Sequence, residues 1–286
     1  MAEITSVGVV GAGTMGAGIA QVAAQSGFSV ILYDVDEDIV DRSLSALFAR
    51  LDRLAEKEKL TADECRRVKE RFRTTATLAD LSACQIVIEA APEQLEIKKR
   101  IFQELDAHCR EDAILATNTS SLSVTEIGSM TSRSQRVAGM HFFNPVPLME
   151  LVEIIKGLQT DEKTVDTLVQ FAYRLNKHPV ICEDTPGFIV NRVARPFYNE
   201  ALRIRGDRIA NMEQIDRIMK KAGRFKMGPF ELQDLIGIDV NFSTTESVHR
   251  GFFGEGRFRP HYYQQRMVDS GNLGRKTGRG YYVYES

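Results

Sequence analysis

Apolar and polar positions divide the chain into two stretches of different rhythm. As far as residue 184, short apolar runs alternate with segments of helical periodicity. Ile4–Val10, Ser29–Tyr33, Gln85–Ala90, Ala113–Ala116 and Arg136–Phe142 read as strands. Unbroken apolar runs such as Ile86-Val87-Ile88 suit strands covered on both faces. Their alternation with helices predicts parallel βαβ units. Between the second strand and those that follow lies a highly charged stretch, roughly Asp36 to Arg73. Within it Val40, Leu44, Leu47, Leu51 and Leu54 recur at spacings of three and four, the mark of one apolar helix face. Thr61-Ala-Asp-Glu64 predicts a capping box that opens a second helix. This stretch is therefore an inserted helical hairpin, most of its charges forming a solvated face.

The rhythm changes at Asp184-Thr-Pro-Gly187, a turn-rich boundary. Everything beyond reads as helix: roughly Phe188–Arg205, Met212–Lys221, Pro229–Val248 and Tyr262–Asp269. The expected organisation is an α/β domain over residues 1–184 and an all-α domain over 187–286. No internal repeat is visible.

Composition narrows the function classes. A net charge of −2 gives no general attraction to nucleic acid or to an anionic membrane, so affinity for phosphates must be local. Cys65, Cys84, Cys109 and Cys182 lie far apart, which argues against a zinc site or a disulfide framework and suits a reducing compartment. No basic-then-apolar leader precedes the first strand, and a cytoplasmic location is expected. Val7 to Ala24 carries no charge, yet its five glycines, Thr14 and Gln21 fit a strand, a tight turn and a closely packed helix better than a membrane span.

Gly11-Ala12-Gly13-Thr14-Met15-Gly16 is a GxGxxG placed between the first strand and a helix. Alone the motif is weak, but in this context each glycine has a task. Gly11 permits the turn, Gly13 lets the backbone approach a pyrophosphate, and Gly16 allows close packing. The helix N-terminus offers N–H groups to phosphates. Asp34, ending the second strand, can accept hydrogen bonds from an adenosine ribose. Asp36, Glu37 and Asp38 would repel a 2′-phosphate, and no cation follows closely to receive one. The cofactor is expected to be NAD on a Rossmann-type doubly wound sheet.

His141, in Met140-His-Phe-Phe-Asn-Pro145, ends a strand at the sheet edge where ligands bind. Glu153, in Leu151-Val-Glu-Ile-Ile155, has apolar neighbours on both sides, and a carboxylate so placed needs a partner. An imidazole that collects a proton is a natural one. Pattern alone does not separate a catalytic pair from a purely structural one.

The chain resembles the L-3-hydroxyacyl-CoA dehydrogenase family, in particular its short bacterial 3-hydroxybutyryl-CoA type. The matching stretches are Gly11–Gly18, Val87–Ala90, Asn118–Leu122, His141–Pro145, Leu151–Ile154, Asp184–Arg192, Met227–Glu231 and Gly274–Gly278, in family order over essentially the whole chain. The resemblance implies that His141 is the general base and Glu153 its orienting partner. It implies that Ser120 and Asn191 hydrogen-bond the substrate near C3 and the thioester, and that Asn144 and Ser120 line the join of cofactor and substrate. Glu93, Lys98 and Lys276 match positions that contact NAD. Arg53 and Lys57 on the hairpin match the excursion over coenzyme A, and the helical domain is expected to complete the substrate cleft and form a homodimer. No metal is implied.

Two features depart from the family. Glu150 stands where relatives often carry Lys, and Arg195 follows Asn191 by one helical turn where many have an aliphatic residue. Arg195 would suit a carboxylate at the far end of a six-carbon chain, as in the branch acting on 3-hydroxyadipyl-CoA. A 6-phosphogluconate-type enzyme would want a lysine on the interdomain helix, where Phe188–Arg192 has Asn191 and no lysine. A non-catalytic NAD- or CoA-binding protein would be expected to have lost one of Ser120, His141, Glu153 or Asn191; all four are present.

Overall fold

The alternating apolar runs of the first half become one eight-stranded sheet in the computed structural model, which describes residues 4–284. The chain separates into two units, Met1–Thr185 and Pro186–Ser286. In the first, the elements run β1 (Ser6–Val10), α1 (Thr14–Gln25), β2 (Ser29–Tyr33), α2 (Glu37–Glu56), α3 (Ala62–Glu70), β3 (Phe72–Thr75), β4 (Ile86–Glu89), α4 (Leu95–His108), β5 (Ile114–Thr117), α5 (Val124–Gly128), β6 (Val137–Phe142), β7 (Leu151–Lys156), α6 (Glu162–Arg174) and β8 (His178–Glu183). The strand order is β3-β2-β1-β4-β5-β6-β7-β8. Every pair is parallel except β6 with β7. The order reverses beside β1, which creates a crevice at the carboxyl ends of β1 and β4.

Strand alternation distributes the apolar residues between two cores, one on each face of the sheet. Val7, Val9, Ile86, Ile88, Met140 and Phe142 enter one, with Leu168 and Phe171 of α6. Val10, Val87, Leu115 and Val137 enter the other, with Phe102 and Leu105 of α4. Burial on both faces is the reason these strands read as unbroken apolar runs. The predicted hairpin is present as α2 and α3. Val40, Leu47 and Leu51 are buried, and the Thr61–Glu64 capping box is made in both directions.

Three strands were absent from the sequence reading. β3 takes over Phe72-Arg73 at the end of the predicted hairpin. It lies at one edge of the sheet, half exposed, and its polar Arg-Thr-Thr composition hides it. β8 lies at the other edge with little of it buried. β7 is buried but is interrupted by Glu153.

The second unit is helical: α7 (Val190–Gly206), α8 (Met212–Lys221), α9 (Pro229–Ile236), α10 (Ile238–Gly251) and α11 (Tyr262–Asp269). The single helix expected over Pro229–Val248 is two helices, because Gly237 takes φ 103°, a conformation that ends α9 and starts α10. Two buried carboxylates tie the unit together. Asp216 accepts Phe230 N at 3.0 Å and Glu231 N at 2.9 Å, capping α9, and also Tyr282 Oη at 2.8 Å. Asp234 accepts Tyr281 N, Tyr282 N and Tyr284 Oη, which fastens the last segment of the chain to α9. The Met227–Glu231 motif therefore has a structural explanation.

Close packing at the glycine turn is directly testable. A Cβ on Gly16 would lie 1.7 Å from Gly11 O, a backbone atom with no room to retreat. Gly16→Ala is expected to destabilise the protein by about 2–3 kcal/mol, as overpacking does, and to abolish NADH binding. Chemical denaturation and a fluorescence titration would check this; a wild-type denaturation midpoint would contradict the packing argument.

Candidate active site

The glycine turn leaves β1 and enters α1 at the crevice. Gly11 has φ +101° and its amide donates to Tyr33 O at 2.8 Å, so the turn is braced against the end of β2. No side chain caps α1, and Gly13 and Thr14 are exposed at its start. A Cβ added to Gly13 would meet no atom within 4 Å. Open space, an uncapped helix N-terminus and a neighbouring groove of about 320 Å³ fit the pyrophosphate of a dinucleotide. Asp34 is half-buried. Its Oδ2 accepts Ala12 N at 2.7 Å and its Oδ1 accepts Val35 N at 2.8 Å, so it clips the end of β2 to the turn.

That groove reveals a basic stripe which the sequence reading found only in part. Arg42 and Arg50 of α2 line it opposite Ala12 and Thr14. Arg50 Nε donates to Gln21 Oε1 at 3.3 Å; burial, then the nearby Arg53, lower its pKa. Arg42, Arg50, Arg53 and Lys57 recur at helical spacing on one face, a signal that was readable from the start. Arg53 and Lys57 are exposed, with Arg53 Nε bonded to Ala49 O in its own helix.

His141 and Glu153 are brought together by the one antiparallel pairing. They stand directly opposite in the β6–β7 register, with His141 Nδ1 2.8 Å from Glu153 Oε2. Both are buried, 6% and 1% exposed. Alternation explains the placement. Met140, Phe142, Val152 and Ile154 all enter the core on one face, so His141 and Glu153 point to the other. A carboxylate only accepts, so Nδ1 carries the hydrogen and Nε2 is the nitrogen with the lone pair. Cys182 of β8 lies near Glu153, and burial first, then that charge, pushes its thiol up to about 12.

Ser120 follows β5 in a loop held by Glu93, whose Oε1 accepts Thr119 Oγ1 at 2.6 Å, Ser120 N at 2.8 Å and Ser120 Oγ at 3.1 Å. Burial works to raise the Glu93 pKa, but Lys98 and these hydrogen bonds outweigh it and hold the carboxyl below its usual range. Lys98, expected to contact the cofactor, is only 1% exposed. Its amine lies 2.7 Å from Glu89 and 3.3 Å from Glu93, so it acts from inside the protein and not as an exposed contact. Asn144 is exposed just past β6. The loop after it is held by buried Lys177, which donates to Val146 O at 2.7 Å and Met149 O at 2.8 Å; burial lowers this lysine's pKa, against the pull of Glu150.

The remaining expected residues lie in the second unit. Asn191 is half-buried at the start of α7. Lys276 is paired with Asp239 at 2.6 Å. Arg195, expected to meet a substrate carboxylate, is buried among groups of its own unit. Its guanidinium is 2% exposed; Nη1 donates to Asn241 O at 2.8 Å and Thr245 Oγ1 at 2.9 Å, and Nε donates to Asn191 O at 3.1 Å. With both Nη1 hydrogens engaged, the fork is not open for bidentate pairing. Burial lowers its pKa to about 10. Among the described residues no cluster of metal-ligating side chains is found, the four cysteines are free, and no helix is long and apolar enough to cross a membrane.

Comparison with known proteins agrees with the family expected from the motifs. Residues 6–185 match the 3-hydroxyacyl-CoA dehydrogenase NAD binding domain, and residues 187–284 match the C-terminal domain of the same family. The chain is 46% identical over its whole length to the 3-hydroxyadipyl-CoA dehydrogenase of Escherichia coli, and it spans 60% of that protein's length. It is 43% identical to a probable 3-hydroxybutyryl-CoA dehydrogenase of Deinococcus radiodurans, covering 97% of this chain and 99% of the relative. The crystal structure of (S)-3-hydroxybutyryl-CoA dehydrogenase from Ralstonia eutropha superposes with a TM-score of 0.95 at 42% identity, covering 99% of this chain and all of that one. With both of its units matched and a full-length relative above 40% identity, the chain belongs to the 3-hydroxyacyl-CoA dehydrogenase family.

Proposed function

We propose that the chain oxidises the 3-hydroxyl of a short (3S)-3-hydroxyacyl-CoA to the 3-oxo thioester, and runs the reverse reduction. The observation that carries this reading is the buried His141–Glu153 pair at the carboxyl edge of an NAD-binding sheet. NAD, held by the glycine turn, the start of α1 and Asp34, supplies the hydride acceptor. His141 takes the hydroxyl proton on Nε2, and Glu153 fixes the tautomer and stabilises the imidazolium that forms. Ser120 and Asn191 donate hydrogen bonds to the oxygen that becomes the carbonyl and to the thioester. Arg53 and Lys57 offer cations to the phosphates of coenzyme A, which a protein of net charge −2 must meet locally. Self-association through the second unit is supported by exposed Leu235, Ile236 and Val240, which lie within and just after α9.

A four-carbon acyl group is favoured by the relative matched along its full length. A six-carbon diacid is favoured instead by the 46% identical 3-hydroxyadipyl-CoA dehydrogenase, but Arg195, the cation that would read its carboxylate, already spends both Nη1 hydrogens on Asn241 O and Thr245 Oγ1. Its bonds to Asn191 O, and at 3.5 Å to Asn191 Oδ1, give it a different task, holding Asn191 in place.

Three variants test these readings. His141→Ala is expected to lower kcat for acetoacetyl-CoA reduction by about 10²–10⁴-fold while NADH still binds. Glu153→Gln should lower kcat with the fold preserved by circular dichroism. Wild-type turnover in His141→Ala would remove the histidine from the mechanism. For Arg195→Ile, kcat/KM on 3-hydroxybutyryl-CoA and 3-hydroxyadipyl-CoA should fall together, because both substrates need Asn191. A loss confined to the diacid, of about 1.5–3 kcal/mol as for a hydrogen bond to a charged group, would make the diacid the substrate.

A further inference from the structure

Glu89 closes β4 and is completely buried. A carboxylate in that position is tolerated only if its lone pairs are met. Oε1 accepts Ala91 N and Lys98 Nζ, each at 2.7 Å, and Oε2 accepts Thr117 Oγ1 at 2.7 Å from the adjoining end of β5. Two chains of contacts run outward from this group and meet on one loop. The first passes from Lys98 to Glu93 Oε2 at 3.3 Å, and from Glu93 Oε1 to the amide and hydroxyl of Ser120. The second passes through Thr117 Oγ1, which accepts Thr119 N at 3.2 Å, to Thr119 Oγ1, which donates to Glu93.

The charges make Glu89 the controlling member. Two carboxylates share one ammonium, and Glu89 holds the nearer place, 2.7 Å against 3.3 Å. Without the charge on Glu89, Glu93 would be the only carboxylate left on a buried cation. Attraction at low dielectric would then draw Glu93 inward, off Ser120. We infer that Glu89 is a positioning residue which, through Lys98–Glu93 on one side and Thr117–Thr119 on the other, sets where the Ser120 hydroxyl stands. This rests on the proposed contact of Ser120 with the substrate. Glu89 touches no reacting atom; it acts through the loop.

A double-mutant cycle tests it. Glu89→Gln keeps the side chain's shape and removes its charge. It is expected to fold like the wild type by circular dichroism and to lower kcat for acetoacetyl-CoA reduction by about 10–100-fold, as a displaced substrate contact does. In a Ser120→Ala background the same substitution should have no further effect. Thr117→Val, which breaks the second chain and spares the ion pair, should give a smaller loss with the same dependence on Ser120. If Glu89→Gln does not fold, the Thr117→Val and Ser120→Ala pair carries the comparison. An unchanged kcat in Glu89→Gln, or an equal loss with and without the Ser120 hydroxyl, overturns the positioning role. If Ser120→Ala itself turns over like the wild type, the substrate contact of Ser120 fails, and the inference resting on it fails too.

Discussion

Glu153 stands almost fully buried in a strand of valine and isoleucine, and it is tolerated there because the imidazole of His141 faces it at 2.8 Å. Each group answers the other. The carboxylate would be an unmet charge without a donor, and the imidazole would have no fixed tautomer without an acceptor. The pairing depends on the single antiparallel step in an otherwise parallel sheet, which sets β6 and β7 side by side with these residues in register. The glycine turn, the Ser120 loop and the segment with Asn144 follow the carboxyl ends of β1, β5 and β6, the sheet edge near which His141 stands.

The protein meets the same problem of buried charge repeatedly and by different means. Glu89 and Lys98 answer each other as an ion pair beneath the Ser120 loop. Lys177 and Arg195 are answered by carbonyl and hydroxyl oxygens, which lets each brace a neighbouring segment. Asp216 and Asp234 are answered by backbone N–H groups and tyrosine hydroxyls. Burial raises the Asp216 pKa in spite of those donors. In each case a polar side chain defines where one particular backbone segment must lie, which apolar packing alone specifies less sharply.

Local charge runs against the net charge. The protein is slightly acidic overall, yet the groove between the glycine turn and α2 is lined by Arg42 and Arg50, with Arg53 and Lys57 continuing the stripe. The uncapped start of α1 adds a partial positive charge at the same place. A ligand carrying several phosphates has reason to settle there, and Asp34, Asp36, Glu37 and Asp38 beyond β2 disfavour one with an additional 2′-phosphate.

How much of this was legible in the sequence follows from the range of each interaction. Strands covered on both faces announce themselves as apolar runs, and α2 by its three- and four-residue spacing, because burial acts residue by residue. The glycine turn and the Thr61 capping box are legible because their partners lie within a few residues. His141 and Glu153 were nameable, one by its strand end and the other by its apolar neighbours. The resemblance also paired them; what no local pattern supplied is the antiparallel register of β7 that brings them face to face, a strand that Glu153 itself disguised. The edge strands β3 and β8 were hidden because half-exposed strands keep no apolar signature. Lys98 and Arg195 show the limit most clearly. The resemblance implies a cofactor contact for Lys98, and the place of Arg195 one helical turn after Asn191 suggests a substrate carboxylate. Packing turns one inward onto Glu89, 9 residues away, and the other onto Asn241 and Thr245, 46 and 50 residues away. Composition and short-range pattern determined what each segment could be; contacts between distant segments decided which polar groups face a ligand and which hold the structure together.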